Sequence, residues 1–196
     1  MRASNSPTSS SYSQSDSNPA DSAAELNGIH FKGDRMYRHN IFRLNYTTYD
    51  VRRAQDTINP NTDHSNIMLL SSEDASSPHH QYIYAHVLGI YHVNIIYTGP
   101  GMLDYRARRM EFLWVRWFAN RDNEPVQNGW ARAQLDRLEY PPMNDEESFG
   151  FVDPAHVLRG SHLIQTFVLG MRDADGADIS ECARDSKDWH QYYVNR

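Results

Sequence analysis

Residues 81–120, QYIYAHVLGIYHVNIIYTGPGMLDYRARRMEFLWVRWFAN, decide the fold. Two long apolar, aromatic-rich stretches flank Gly99-Pro100-Gly101, which reads as a turn and predicts an antiparallel strand pair. In the first stretch Ile83, Ala85, Val87, Tyr91, Val93, Ile95 and Tyr97 share one parity, and His86, His92 and Asn94 take the other, so one face should be core. Gly89 interrupts that alternation and marks a bulge or a close backbone approach. The return strand, Met110 to Phe118, is apolar on both parities, which predicts a central strand covered on both faces.

Upstream, Phe42, Leu44, Tyr46 and Thr48 alternate with Arg43, Asn45, Thr47 and Tyr49, so order is expected to begin near Ile41 with a half-buried strand. Ile58-Asn59-Pro60-Asn61 reads as a turn, Asn66 to Ser71 as a second short strand, and SSEDASSPHH (71–80) as a polar loop. Downstream, a short strand is expected within Ala133 to Tyr140, ended by Pro141-Pro142. Asp153 as a cap, Pro154 at the first helical position and Gly160 past the end predict a helix of one or two turns. A strand at His162 to Leu169 comes next, then an acidic loop, then a terminal helix over Asp185 to Asn195. The expected organisation is a disordered Ser-rich tail (1–30), a β-barrel-like domain (31–170), and an acidic loop with a C-terminal helix (171–196).

The chain has 196 residues and 39% hydrophobic content, enough for one core of ordinary size and too little for two domains. A formal charge of -6 gives no global attraction to nucleic acid, so any such binding must come from local patches. The single cysteine, Cys182, excludes an internal disulfide and any multi-cysteine zinc site, and it suits a reducing compartment. With neither a secretory apolar region nor about 18 uninterrupted apolar residues, the expectation is an intracellular protein of the cytosol or nucleus with no membrane contact.

Reactive constellations are weak. On an unbroken extended strand His86 and His92 would share a face but lie about 20 Å apart at ~3.3 Å per residue, too far to hold one ion. Asp173, Asp175, Gly176 and Asp178 miss the glycine and glutamate positions of a calcium loop. Asp50, Asp104, Asp136 and Asp153 are the carboxylates to consider for metal-dependent strand cleavage, but nothing links them to one pocket. No catalytic residue, metal site or cofactor is therefore expected.

The basic residues are more suggestive. Lys32, Arg35, Arg38, Arg43, Arg52 and Arg53 cluster near the first strand, and Arg106, Arg108 and Arg109 sit beside the hairpin turn. Such groups contact phosphates in a salt-dependent way, unless they are solvated faces paired to Asp34, Asp50 and Asp104. Trp114, Trp117, Phe112 and Phe118 read as core. Tyr82, Tyr84, Tyr91, Trp130, Trp189, Tyr192 and Tyr193 are candidates to face a partner, including an aromatic cage for a methylated lysine.

The segments MYRHNIFRLNYTTYDVRRAQDTINP (36–60), HQYIYAHVLGIYHVNIIYTGPG (80–101), RRMEFLWVRWF (108–118), FGFVDPAHVLRGSHLIQTF (149–167) and DWHQYYVNR (188–196) resemble, in the same order, the C-terminal region of proteins encoded by Plavaka-type fungal DNA transposons, relatives of the CACTA class. The likeness spans about Phe31 to Arg196. It implies a fragment, a decayed copy or a separately encoded accessory domain, because that family carries its ribonuclease-H-like catalytic core upstream of the matched region. At fold level the order YIYAHVLGIYHV (82–93), FLWVRWF (112–118) and VDPAHVLRGSHLI (152–164) resembles the bromo-adjacent homology domain, which implies binding to nucleosomes, histone tails or other proteins.

The expected fold is thus mainly β with short helices, a single small antiparallel barrel or curved sheet of bromo-adjacent homology type. The expected function is a non-catalytic module that binds DNA, nucleosomes or another transposon-encoded protein. The alternatives are an accessory part of a transposase or nuclease unit, and a structural or oligomerisation domain. Arg52, Arg53, Arg106, Arg108, Arg109, Tyr84 and Trp130 are the expected contact residues.

Overall fold

Strand β5, Tyr82–Tyr97, organises the chain, and its 16 residues run about 50 Å at ~3.3 Å per residue. The computed structural model describes residues 27–46, 55–71, 81–121, 135–172 and 179–195. On one side β5 pairs with β6, Arg108–Trp117, from Ala85↔Trp117 to Ile95↔Arg108. On the other side it serves two partners in succession. Its first residues pair with β4, Asn66–Leu70, and its last with β1, Ile29–His39. The hub of the sheet is therefore β5 and not, as the apolar run of the return strand suggested, β6.

Between Val87↔Val115 and Gly89↔Trp114 the register slips by one residue. Leu88 is the extra residue of this bulge, at the place that Gly89 marks in the sequence. The slip exchanges faces: Ala85 and Val87 lie in one core before it, and Ile90 rejoins that core after it. Tyr91, Val93 and Ile95 are thereby turned to the opposite face from Ala85 and Val87, which a strict two-residue period does not reveal. Glycine is favoured here because the Tyr91 ring folds back over it. A Cβ at Gly89 would lie 2.4 Å from Tyr91 Cε2. The half-buried ring can swing aside, so Gly89→Ala should cost only about 1–2 kcal/mol. In a Tyr91→Ala background, urea denaturation should show less than half of that cost.

Seven further strands complete the fold among the described residues. They are β2 (Phe42–Asn45), β3 (Gln55–Ile58), β7 (Ala119–Asn120), β8 (Arg137–Glu139), β9 (Phe149–Val152), β10 (Val157–Gln165) and β11 (Tyr192–Asn195). The order β7-β8-β11-β10-β4-β5-β6-β9, with β1 beside β5, makes a curled antiparallel half-barrel, and β2 and β3 form a separate hairpin. The molecule is mainly β, as expected. Helical turns are short: Glu146–Ser148, Pro154–His156 and Asp185–Lys187. No helix among the described residues is long and apolar enough to cross a membrane.

Each face of the sheet carries a core. One gathers Ile67, Leu69, Ala85, Val87, Leu113, Val115, Val152 and Val157, closed by Ile58, Phe42 and Leu44 of the β2–β3 hairpin. Asp56 pins that hairpin down: its carboxylate accepts from Gly160 N–H at 3.1 Å and from the Tyr46 hydroxyl at 3.1 Å. The other core gathers Tyr84, Phe118, Leu138, Tyr140, Leu163, Tyr192 and Val194. Leu113 and Val115 of β6 enter the first core and Phe118, just past the strand, enters the second, but Met110 and Glu111 are exposed, so the cover expected on both faces of Met110 to Phe118 holds only for its second half.

Several expectations are corrected. A strand already lies upstream of Ile41: β1, whose partly apolar run IHFKGDRMYRH is broken by Gly33 and Asp34 at positive φ, so its two halves do not read as one strand. Asp153 does cap a turn, accepting from Ala155 N–H at 2.8 Å, but that turn is a single 3-10 turn and Gly160 lies inside β10. No helix spans Asp185 to Asn195. Asp185 spends its carboxylate on Ile179 and Ser180 N–H at 2.9 and 3.0 Å, so it is not free to cap a helix starting at Ser186. At the end of the chain the residues instead alternate, Tyr192 and Val194 buried against Tyr193 and Asn195, and form β11 between β10 and β8.

Candidate interaction surface

Beyond the bulge, β1, the second half of β5 and the first half of β6 form a three-stranded extension whose two faces differ. Paired residues of antiparallel strands point to the same side, so the register assigns the faces. One carries His39, Tyr37, His92, Glu111, Asn94 and Arg109. The other carries Arg38, Tyr91 and Phe112 in one row, Met36, Val93 and Met110 in the next, and Phe31, Ile95 and Arg108 in the third.

On the polar face His92 stacks on Tyr37 (4.7 Å between centroids, 8° between planes), and its Nδ1 lies 2.6 Å from His39 Nε2. Partial desolvation, then Arg109 and His39, hold His92 below the ordinary histidine range. On the apolar face Phe112 sits between Tyr91 and Phe151 at 5.6 and 5.5 Å. Phe151 is 72% exposed, while Met36, Phe31 and Met110 are about half exposed. This is a continuous aromatic and thioether surface, not scattered surface apolar residues.

The predicted contact residues fall in different places. Arg106, Arg108 and Arg109 lie at the hairpin end, but Arg108 pairs with Ile95 and Arg109 with Asn94, so these two point to opposite faces. Arg109 is committed to Glu111, with Nε and Nη2 each 2.7 Å from Oε1. Arg108 is 71% exposed and has Asp104 at 3.8 Å, a pairing that leaves its charge available to a ligand. Tyr84 is not a surface residue. It is 1% exposed, and its hydroxyl donates to Asp136 Oδ2 at 2.8 Å, because the face of β5 that carries it is covered by the second core. Arg52, Arg53 and Trp130 lie outside the described residues, as do Asp50 and the acidic loop 173–178. Asp136 accepts from Tyr84 and Asp153 caps a turn, so each has a structural task.

Sequence reasoning missed Arg116. It is 1% exposed, with Nη1 2.7 Å from Asp188 Oδ2 and its guanidinium carbon 3.8 Å from the Tyr140 ring centroid. The Phe118, Tyr140 and Tyr192 rings do converge, at 4.2 to 5.7 Å, as an aromatic cage requires. The cation there is the chain's own Arg116, over the Tyr140 ring. Beside it a cleft of about 560 Å³ is lined by His86, Tyr140, Asp188 and Tyr192. Burial raises the Asp188 carboxyl to about 6 despite Arg116, and burial lowers His86 to about 4, helped by Arg184 and Arg116. Desolvation also lifts Asp185, but the backbone N–H groups of Ser180, Ile179 and Asp185 itself, with Arg116, outweigh it and hold it below the usual value. A charge within FLWVRWF was the available signal: in a run buried on both faces an arginine must find an internal partner.

Among the described residues no three His, Cys, Asp or Glu side chains are grouped to hold a metal ion. Comparison with known proteins finds no matching family model, no matching curated protein and no matching solved structure.

Proposed function

We propose that this chain is a non-catalytic interaction module of a transposon-derived protein, working in the nucleus, that docks on DNA or nucleosomes through the hairpin end of β5 and β6. The observation that carries this reading is the exposed Arg108, with Arg106 two residues away, on a sheet extension that offers side chains to solvent on both faces. Phosphate contacts by such arginines release counterions, so binding must weaken steeply with salt.

The test is anisotropy titration of the full chain with duplex DNA and with nucleosomes at two salt concentrations. The double substitution Arg106→Ala/Arg108→Ala should weaken duplex binding about tenfold at low salt and flatten the log–log salt slope by about 2. Arg109→Ala should do less, because Glu111 already neutralises that side chain. Absence of binding to either target at low salt would overturn the reading.

A further inference from the structure

Resting on that reading and naming its ligand more closely, we propose that the apolar face of the extension is a stacking platform for single-stranded nucleic acid, with Phe151 and its neighbours Phe112 and Tyr91 taking the bases and Arg38 and Arg108 taking the phosphates. The chemistry is set by the groups that share the face. Phe151 leaves 72% of its surface open, and its ring is held at 82° to Phe112, which is itself stacked on Tyr91. The exposed ring is therefore fixed by its neighbours and not free to collapse onto the sheet. Every base has a π-face, so such rings bind unpaired bases with little regard to sequence.

Charge selects this occupant over another apolar surface. The paired positions of β1, β5 and β6 on this face include Arg38 at one end and Arg108 at the other, and no carboxylate. Of the hairpin's two acids, Glu111 points to the opposite face with Arg109, and Asp104 stands in the connecting turn, 3.8 Å from an Arg108 that stays 71% exposed. A polyanion with flat apolar groups matches two arginines flanking an aromatic ridge; a second copy of the same face would set arginine against arginine. Duplex DNA offers the arginines its phosphates but keeps its bases stacked out of reach of Phe151. The two ligands therefore separate the roles of ring and charge.

The experiment titrates the full chain into a labelled oligo-dT of about 15 nucleotides, within the range of known single-strand sites, and into a duplex of equal length. Phe151→Ala is expected to weaken oligo-dT binding about tenfold and leave duplex binding within twofold, while Phe151→Trp retains affinity and shows indole quenching on saturation. Because Phe151 is exposed, an unchanged melting curve accompanies the loss. Duplex binding without oligo-dT binding, or indifference of oligo-dT to Phe151→Ala, sinks the platform and leaves the proposed function standing. Failure of both ligands sinks both. Light scattering that shows a dimer abolished by Phe151→Ala, with no oligo-dT affinity, would assign the face to self-association instead.

Discussion

Replacing Arg116 with methionine should lower the unfolding free energy by about 3–5 kcal/mol, seen as a fall in the urea midpoint at unchanged slope. The guanidinium and the Asp188 carboxylate are both withdrawn from water, at 1% and 7% side-chain exposure, and stand 2.7 Å apart. Their attraction is large at that distance, yet Asp188 still titrates near 6, so desolvation outweighs the partner. Arg116 lowers the carboxyl through its charge and its side-chain hydrogen bond, but burial is the larger effect. Removing one charge leaves the other buried with less to compensate it. Arg172 also acts on Asp188, which favours the lower end of the range. The converse is the sharper test. Arg116→Met together with Asp188→Leu removes both penalties and should restore most of the lost stability, because an apolar pair suits the aromatic walls of Phe118, Tyr140 and Tyr192. If the double variant is no more stable than Arg116→Met alone, the site holds the fold by something other than charge balance.

That pair shows where the sequence is readable and where it stops. Alternation and turn chemistry locate β2, β4, β5 and β6, and Gly89 announces its bulge, because these are local properties of a half-buried strand. Which face is which after Leu88 is not local: one inserted residue reassigns Tyr91, Val93 and Ile95, and with them the whole candidate surface. Arg116 stands out in FLWVRWF, but its partner Asp188 is 72 residues away, in a stretch that reads as helical until Tyr192 and Val194 are seen to be buried in the second core. Tyr84 fails as a contact residue for the same reason. An aromatic on the histidine parity looks solvent-facing only if the sheet has one core, and this sheet has two.

Two groups on the same cleft should make stability nearly independent of pH between about 4 and 6.5, by opposing each other. His86, half-buried, lies 2.9 Å from Asn66 Oδ1 and 3.3 Å from Ser65 Oγ through Nδ1, and it resists protonation until about 4. Its unfolded counterpart takes a proton near 6.5, so its contribution is complete above 6.5 and is lost as pH falls to about 4. The gap corresponds to about 3 kcal/mol at ~1.36 kcal/mol per pH unit. Asp188 runs the other way: the folded carboxyl keeps its proton up to about 6, the unfolded one releases it near 3.8, so its contribution is present below 3.8 and is lost as pH rises through 6. That gap is again about 3 kcal/mol. Urea melts across this window should therefore be nearly flat for the native chain. Asp188→Asn should unmask the histidine and lose about 3 kcal/mol on acidification from pH 6.5 to 4, whatever its starting stability. His86→Gln should instead gain stability over the same interval. Below pH 4 both variants and the native chain should fall together, as Asp185, whose carboxylate holds the Ile179 and Ser180 amides, takes up its proton. Parallel profiles for all three proteins between pH 4 and 6.5 would show that neither group is desolvated in the way its surroundings imply.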